Sequence, residues 1–145
     1  VFTLLGPFEL GNVNVSADDQ VMELSFTDAI EISNAQATTT GFSASITTTE
    51  FIEAVEPTEF IGYTNFSIKT GAITTSQPDG VTAPLDSNYT AFSGSLSTSN
   101  AIDFMLADSR SRNAGSWTVT PTFKVTVPGL QAAGNYQATL TFALY

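Results

Sequence analysis

Runs in which apolar and polar residues alternate constrain this chain more than any other feature, because that period of two is the pattern of a half-buried β-strand. The longest run covers residues 117–127, and its apolar positions are Trp117, Val119, Phe123, Val125 and Val127. Pro121 lies on the same side of the run. Since proline cannot donate to a ladder, a bulge or an edge position is expected there.

A second long run covers residues 136–144, and the turn-rich segment 128–134 connects it to the first. The two runs together predict a long antiparallel hairpin. Shorter alternating runs lie at 22–26, 42–46, 60–68 and 102–106. The best helical candidate is one turn within 50–59, ended by Pro57. Many short strands with turns between them predict an all-β fold, an antiparallel β-sandwich that is jelly-roll-like.

The first ten residues are unusually apolar for a chain terminus, where residues are normally frayed and polar. Two interpretations follow: this segment is the first strand of the domain's own sheet, or it is a donor strand that inserts into a neighbouring subunit. The predicted organisation is therefore an N-terminal strand, 1–10, and a single β-sandwich domain, 11–145. The predicted self-assembly residues are Val1, Phe2, Leu4, Leu5, Phe8 and Leu10.

The chain has neither His nor Cys. Ser-His and Cys-His nucleophile pairs and structural zinc sites therefore cannot be assembled. We predict that the protein is not an enzyme and carries no cofactor or metal. A hydrolase that uses two carboxylates remains as a minor alternative, and weak calcium binding by loop Asp residues as another. The four glutamates at 50, 53, 56 and 59 predict a solvated acidic face.

The formal net charge of −10 disfavours nucleic acid and anionic lipid as partners. No apolar run approaches the roughly 20 residues of a membrane span. Few charges, many hydroxyls and no Cys or His are typical of secreted proteins, so an extracellular or cell-surface location is predicted. The chain begins at Val1, and we expect that a leader was removed before this residue or that the chain was trimmed there.

Three Asn residues lie in N-glycosylation triplets, which are accepted on surface loops of secreted proteins. Asn88 lies in a predicted loop and is the best placed, followed by Asn65 and Asn14. Trp117 opens an alternating apolar face, so a core position is expected in preference to a sugar-stacking platform.

Three segments carry a family resemblance. Phe8-Glu-Leu-Gly-Asn-Val13 resembles an F-x-F-G-x-v opening, and 26–51 is similar to a v-x-D…G-W-x-L…F segment. Residues 134–144 resemble a G-x-Y-x-A-T-L-T-W-x-L ending. These motifs resemble the WxL-type cell-surface domain, although Phe42 and Phe142 stand at the two tryptophan positions and Ala44 at the first leucine. The resemblance implies a secreted, non-catalytic β-sandwich on the bacterial surface, often associated with the cell wall.

Two functions follow as hypotheses. The first is a structural subunit of an extracellular, pilus-like filament that polymerises with itself by β-strand complementation, and deleting residues 1–8 is expected to abolish polymerisation. The alternative is a monomeric WxL-like module that binds cell wall or glycan.

Overall fold

The computed structural model describes residues 2–4, 6–34, 41–71, 73–75, 81–94, 100–107 and 115–145; the side chains of 2–4, 34 and 75 are outside this description. One 3₁₀ turn, Tyr63–Asn65, and fifteen strands lie in the described residues: β1 (Phe2–Leu4), β2 (Gln20–Ser25), β3 (Ile30–Asn34), β4 (Phe42–Thr48), β5 (Phe51–Glu53), β6 (Phe60–Ile61), β7 (Phe66–Lys69), β8 (Ile73–Thr75), β9 (Val81–Thr82), β10 (Thr90–Ala91), β11 (Ile102–Ala107), β12 (Gly115–Val119), β13 (Thr122–Val127), β14 (Tyr136–Gln137) and β15 (Leu140–Leu144). Every strand pairing is antiparallel. The predicted all-β antiparallel sandwich is confirmed.

One layer of the sandwich, called here the front layer, is a long sheet that bends at a corner. Its two parts have the strand orders β1-β3-β12-β8 and β10-β7-β13-β2. Three strands continue from one part to the other, because β2 leads into β3, β12 into β13 and β7 into β8. Across the corner, the Phe26 N–H donates to the Pro121 carbonyl at 2.9 Å. The Asp28 N–H donates to Thr120 Oγ1 at 3.0 Å.

Proline and glycine explain why the strands turn at the same place. Pro121 interrupts the ladder, as the sequence predicted, and the run 117–127 divides there into β12 and β13. Gly71 follows β7 with φ +68°, and a Cβ at this position would overlap the Thr120 carbonyl. Only glycine fits both the left-handed backbone and this close approach.

The other layer, called the back layer, has the strand orders β15-β4-β11-β9 and β14-β5-β6. Its two parts are also continuous, since β4 leads into β5 and β14 into β15. Thr49 joins them, with its N–H donating to the Thr139 carbonyl at 3.0 Å and its Oγ1 accepting from the Thr139 N–H at 2.9 Å.

The core lies between the layers and is built from the inward-facing positions of both. Trp117 is 1 % exposed and packs at 5.4 Å, centroid to centroid, against Phe42. Its predicted core position is confirmed. The front layer also contributes Ile30, Ile32, Ile68, Val119, Phe123 and Val125, and the back layer contributes Ala44, Ile46, Phe104 and Met105.

The predicted C-terminal hairpin is wrong. β13 pairs with β2 and β7 in the front layer, whereas β14 pairs with β5 and β15 with β4 in the back layer. Segment 128–135 therefore crosses from one layer to the other. The turn residues in this segment mark the change of direction correctly, but a turn signal does not specify which strand the chain pairs with next.

Two shorter predictions also need correction. The strand predicted over 60–68 is divided into β6 and β7 by the 3₁₀ turn at Tyr63–Asn65. The helical turn predicted within 50–59 is absent, because residues 51–53 form β5. Apolar side chains at Phe51 and Ile61 favour a buried strand pair there. No helix in the described ranges is long and apolar enough to cross a membrane.

We predict that Gly71→Ala lowers the free energy of unfolding by about 1–3 kcal/mol, the cost of holding a non-glycine residue in a strained backbone region. Urea titration of the purified variant measures this. Gly62→Ala is the matched control, since Gly62 has φ −69° and its nearest neighbouring atom would lie 4.0 Å from the new Cβ. Equal unfolding midpoints for the two variants would contradict the corner as described.

Candidate functional site

The N-terminal arm, residues 1–10, pairs with its own chain through β1. The register is Phe2 with Ile32, Thr3 with Glu31 and Leu4 with Ile30, so β1 forms one edge of the front layer through three residue pairs. Of the predicted self-assembly residues, Val1 and Leu5 lie outside the described residues. Phe2 and Leu4 are placed in β1 by their backbone alone. Whether the arm also pairs with another copy stays a prediction.

Beyond β1 the arm is held by side chains. The Phe8 ring packs at 5.0 Å from the ring of Phe26 and at 5.5 Å from that of Phe123. Leu10 also packs against the core from a half-buried position. Residues 6–15 belong to no strand. The arm is therefore attached by a short ladder and two apolar side chains.

A cleft of about 890 Å³ lies beneath residues 6–15. Its floor is apolar and includes Phe51, Ile61, Phe66, Phe123 and Val125. One wall contains Met22 of β2, and the other is formed by residues 131–140 and Phe142. The volume is within the range of small-molecule and cofactor pockets, roughly 300–1,000 Å³.

Edge strands flank this cleft on both sides. β2 ends the strand order of one front-layer part, and β15 and β14 end those of the back layer. In the described part of the chain no strand continues the sheets beyond them. A strand edge presents backbone N–H and C=O groups that can pair with another strand.

The wall formed by residues 131–135 is fastened by one carboxylate. Glu53 Oε2 accepts from the Val55 N–H at 2.6 Å and the Glu56 N–H at 2.5 Å, and Oε1 accepts from the Asn135 N–H at 3.0 Å. Gly134 allows this approach, since a Cβ there would meet the Glu53 side chain. The backbone N–H of Glu56, followed by those of Asn135 and Val55, holds the pKa of Glu53 below its usual value.

Glu53 corrects one sequence prediction. The four glutamates at 50, 53, 56 and 59 were expected to form a solvated face, but Glu53 is 7 % exposed and the other three are half-buried or exposed. A regular spacing of acids contains no signal that separates the buried one. Gly134 leaves room for the Glu53 side chain and so is a signal for its burial, but this signal can be interpreted only once the strand pairing is known.

The cleft lining has little of the chemistry that hydrolysis needs. Among its described residues, Glu9 is the single acidic side chain, whereas glycoside hydrolysis takes two facing carboxylates. Asp103 lies in β11 and accepts a hydrogen bond from Ser43 Oγ at 2.6 Å. No group of three or more metal-ligating side chains occurs in the described residues. The cleft is thus a largely apolar surface between two strand edges.

The three predicted glycosylation positions have different surroundings. Asn14 and Asn88 are exposed and lie outside strands. Asn65 ends the 3₁₀ turn and is half-buried, with its backbone N–H donating to the Gly62 carbonyl at 3.1 Å. Of the three, Asn14 and Asn88 have the most space for an attached glycan.

Comparison with known proteins gives no relative: no family model matches the chain, and neither a curated protein nor a solved structure does. The resemblance to the WxL-type domain therefore stays a prediction.

We predict that Glu53→Gln destabilises the fold at neutral pH, because an amide cannot accept from three N–H groups at both of its ends. A carboxyl whose pKa is lowered by folding stabilises the protein above its unfolded pKa, and this contribution is lost as the pH falls through the folded pKa. The difference in urea midpoint between wild type and variant should therefore shrink as the pH is lowered through the unfolded and then the folded pKa of this carboxyl.

The exposed Glu59→Gln is the control for this series. Its midpoint should follow that of the wild type throughout. A gap between wild type and Glu53→Gln that stays constant with pH would contradict the role given to the Glu53 carboxylate.

Proposed function

We propose that this chain is a structural subunit of an extracellular filament, in which the N-terminal arm of one copy takes the place of the arm in the next copy. The observation that carries the proposal is the attachment of the arm. Three residue pairs hold β1 to β3, and residues 6–15, which follow, belong to no strand. The arm can therefore leave without disrupting any other pairing of the sheet.

Exchange of the arm would cost little, because the contacts made within a chain and between chains are the same. In both cases β1 pairs with Ile30–Ile32, and Phe8 packs between Phe26 and Phe123. Only the path of the connecting residues 11–19 differs. These nine residues span about 30 Å when extended, far enough to reach the surface of an adjoining copy. Because donor and acceptor are different surfaces, the contact is heterologous, and a non-closing series of such contacts makes a filament.

The chemistry of the chain supports a structural function over a catalytic one. Its side chains include no imidazole and no thiol, and the described cleft lining is mostly apolar. The alternative, a monomeric WxL-like module that binds cell wall or glycan, differs in one measurable respect: it predicts monomers whatever the state of the arm.

A reversible disulfide between β1 and β3, which holds the arm on its own chain, tests the proposal. Thr3 and Glu31 are opposite each other on β1 and β3, at a separation that a disulfide can bridge. The chain has no Cys of its own, so Thr3→Cys combined with Glu31→Cys creates a single defined pair. We predict that the oxidised variant, refolded at high concentration and then diluted for electron microscopy, forms no filaments. Reduction should restore filaments.

The single variant Thr3→Cys is the control and should assemble like wild type under reducing conditions. Filaments of unchanged length from the oxidised double variant would overturn arm exchange. Wild-type protein that remains monomeric after refolding at high concentration would remove the filament itself and favour the wall-binding alternative.

The described contacts also refine the deletion experiment. Removing residues 1–8 takes away Phe8 and uncovers Phe26 and Phe123, whereas removing residues 1–5 takes away β1 and leaves Phe8 and Leu10 in place. The shorter deletion should abolish filaments while the circular dichroism of the monomer stays that of a folded β protein. Filaments formed by this variant would contradict the proposal.

A further inference from the structure

The two lysines of the chain, Lys69 and Lys124, lie on the same side of the same sheet. Lys69 ends β7 and Lys124 is in β13, and the neighbours Ile68, Phe123 and Val125 are buried. Since successive side chains in a strand point to opposite faces, both lysines point outward from the front layer. Their ammonium groups lie 4.9 Å and 4.3 Å from the centroid of the Tyr89 ring.

This surface, called here the lysine face, has an unusual charge for this protein. Strands β2, β7, β10 and β13 carry two lysines and one glutamate, Glu23, the cross-strand partner of Lys124. The sheet part thus has a net charge of +1 in a chain whose total is −10. Burial and then the carboxylate of Glu23 raise the pKa of Tyr89 to about 12, so this ring is neutral at physiological pH.

The opposite side of the molecule presents exposed apolar side chains among glutamates. Phe51 and Ile61 face the core, and Phe51 packs at 4.8 Å against Phe66. Their strand neighbours Ile52 and Phe60 are cross-strand partners that point outward, 41 % and 52 % exposed. Val55, in the turn between them, is 79 % exposed. Residues 50–60, called here the glutamate hairpin, present these apolar side chains among Glu50, Glu56 and Glu59.

We propose that the lysine face of one copy docks on the glutamate hairpin of another copy, as a second contact between subunits that does not depend on the arm. The occupant follows from charge complementarity. The chain has a net charge of −10, so most of its surface repels a second copy. Among the sheet surfaces of the described residues, the lysine face has a positive net charge. The hairpin offers carboxylates for the two ammonium groups, and Ile52, Val55 and Phe60 can pack on the Tyr89 ring and the aliphatic lysine stems.

The positions of the two surfaces determine what such a contact builds. One surface is on the outside of the front layer and the other on the outside of the back layer. Copies joined through them stack front to back, and each copy keeps one free surface of each kind. This is a heterologous arrangement. Because exposed ion pairs are individually weak, such stacks should dissociate on dilution, and filaments that persist on dilution still need arm exchange.

Zero-length carbodiimide cross-linking tests the contact directly, because it joins a carboxylate to an amine only where they touch. With two lysines in the chain, the products can be mapped completely by mass spectrometry. An equal mixture of ¹⁴N- and ¹⁵N-labelled wild-type protein distinguishes links between copies from links within one. We expect mixed-isotope links from Lys69 or Lys124 to Glu50, Glu56 or Glu59. Links confined to one copy, or mixed links to other carboxylates, would overturn the proposal.

Charge exchange provides an independent test by sedimentation equilibrium. Lys69→Glu with Lys124→Glu, or Glu56→Lys with Glu59→Lys, should weaken self-association about tenfold or more, since each removes two cross-copy ion pairs and adds repulsion. Mixing the two variants should restore association, because one supplies a basic hairpin and the other an acidic face.

Asp18→Lys with Glu31→Lys, at two exposed positions outside both surfaces, is the control for net charge alone, because it replaces two acids by two lysines as the hairpin variant does. Equal weakening by this variant, or no recovery in the mixture, would show that the two surfaces do not meet. The disulfide between positions 3 and 31 leaves both surfaces intact. The cross-links and charge variants therefore test the docking of the lysine face, and the disulfide tests arm exchange. Either proposal can fail while the other holds.

Discussion

The structure depends on a continuous series of phenylalanine contacts that joins the arm to both layers. Phe123 of the front layer contacts Phe8, Phe26 and Phe66, with centroid distances of 5.5, 5.9 and 5.7 Å. Phe66 in turn contacts Phe51 of the back layer at 4.8 Å. Each such pair contributes about 0.5–1.5 kcal/mol beyond the burial of its surface. The corner of the front layer makes the series possible, because it brings Phe26 beside Phe123 where the strands turn.

The cleft lies directly beside these ring contacts and is lined by several of the same phenylalanines. The two layers contact each other at these rings, and the cleft opens toward the edges formed by β2 and β15. Residues 6–15 line this opening without joining either sheet. Glu53 holds the far wall in place by satisfying three backbone N–H groups that the turn after β5 and the crossing segment would otherwise leave without partners. A surface-like sequence of glutamates thus contains the group that fixes the geometry of the candidate site.

The alternating runs predicted β2, β4, β11, β12, β13 and β15 but missed β3, β5, β8, β9 and β10. They predicted the strand partners poorly, for a physical reason. Alternation is local, so the inward faces of 117–127 and 42–46 and the break at Pro121 could be recognised without the structure. Pairing is not local: residues 136–144 follow β13 of the front layer in the chain, yet they pair with β4 and β5 within the back layer. The buried state of Glu53 and the convergence of Lys69 and Lys124 on Tyr89 arise only from strand register, which no spacing along the chain reveals.

Because the chain has no histidine, its net charge is expected to change little with pH around neutrality. Side-chain carboxyls in general titrate near pH 4; in this fold the pKa of Glu53 is lowered further and the pKa of Tyr89 is raised to about 12. No side chain of ordinary pKa changes charge between about pH 5.5 and 9. For the proposed contacts between copies, attraction and repulsion are consequently expected to be the same in mildly acidic and mildly alkaline solution. Ionic strength, not acidity, is the solution variable expected to change them.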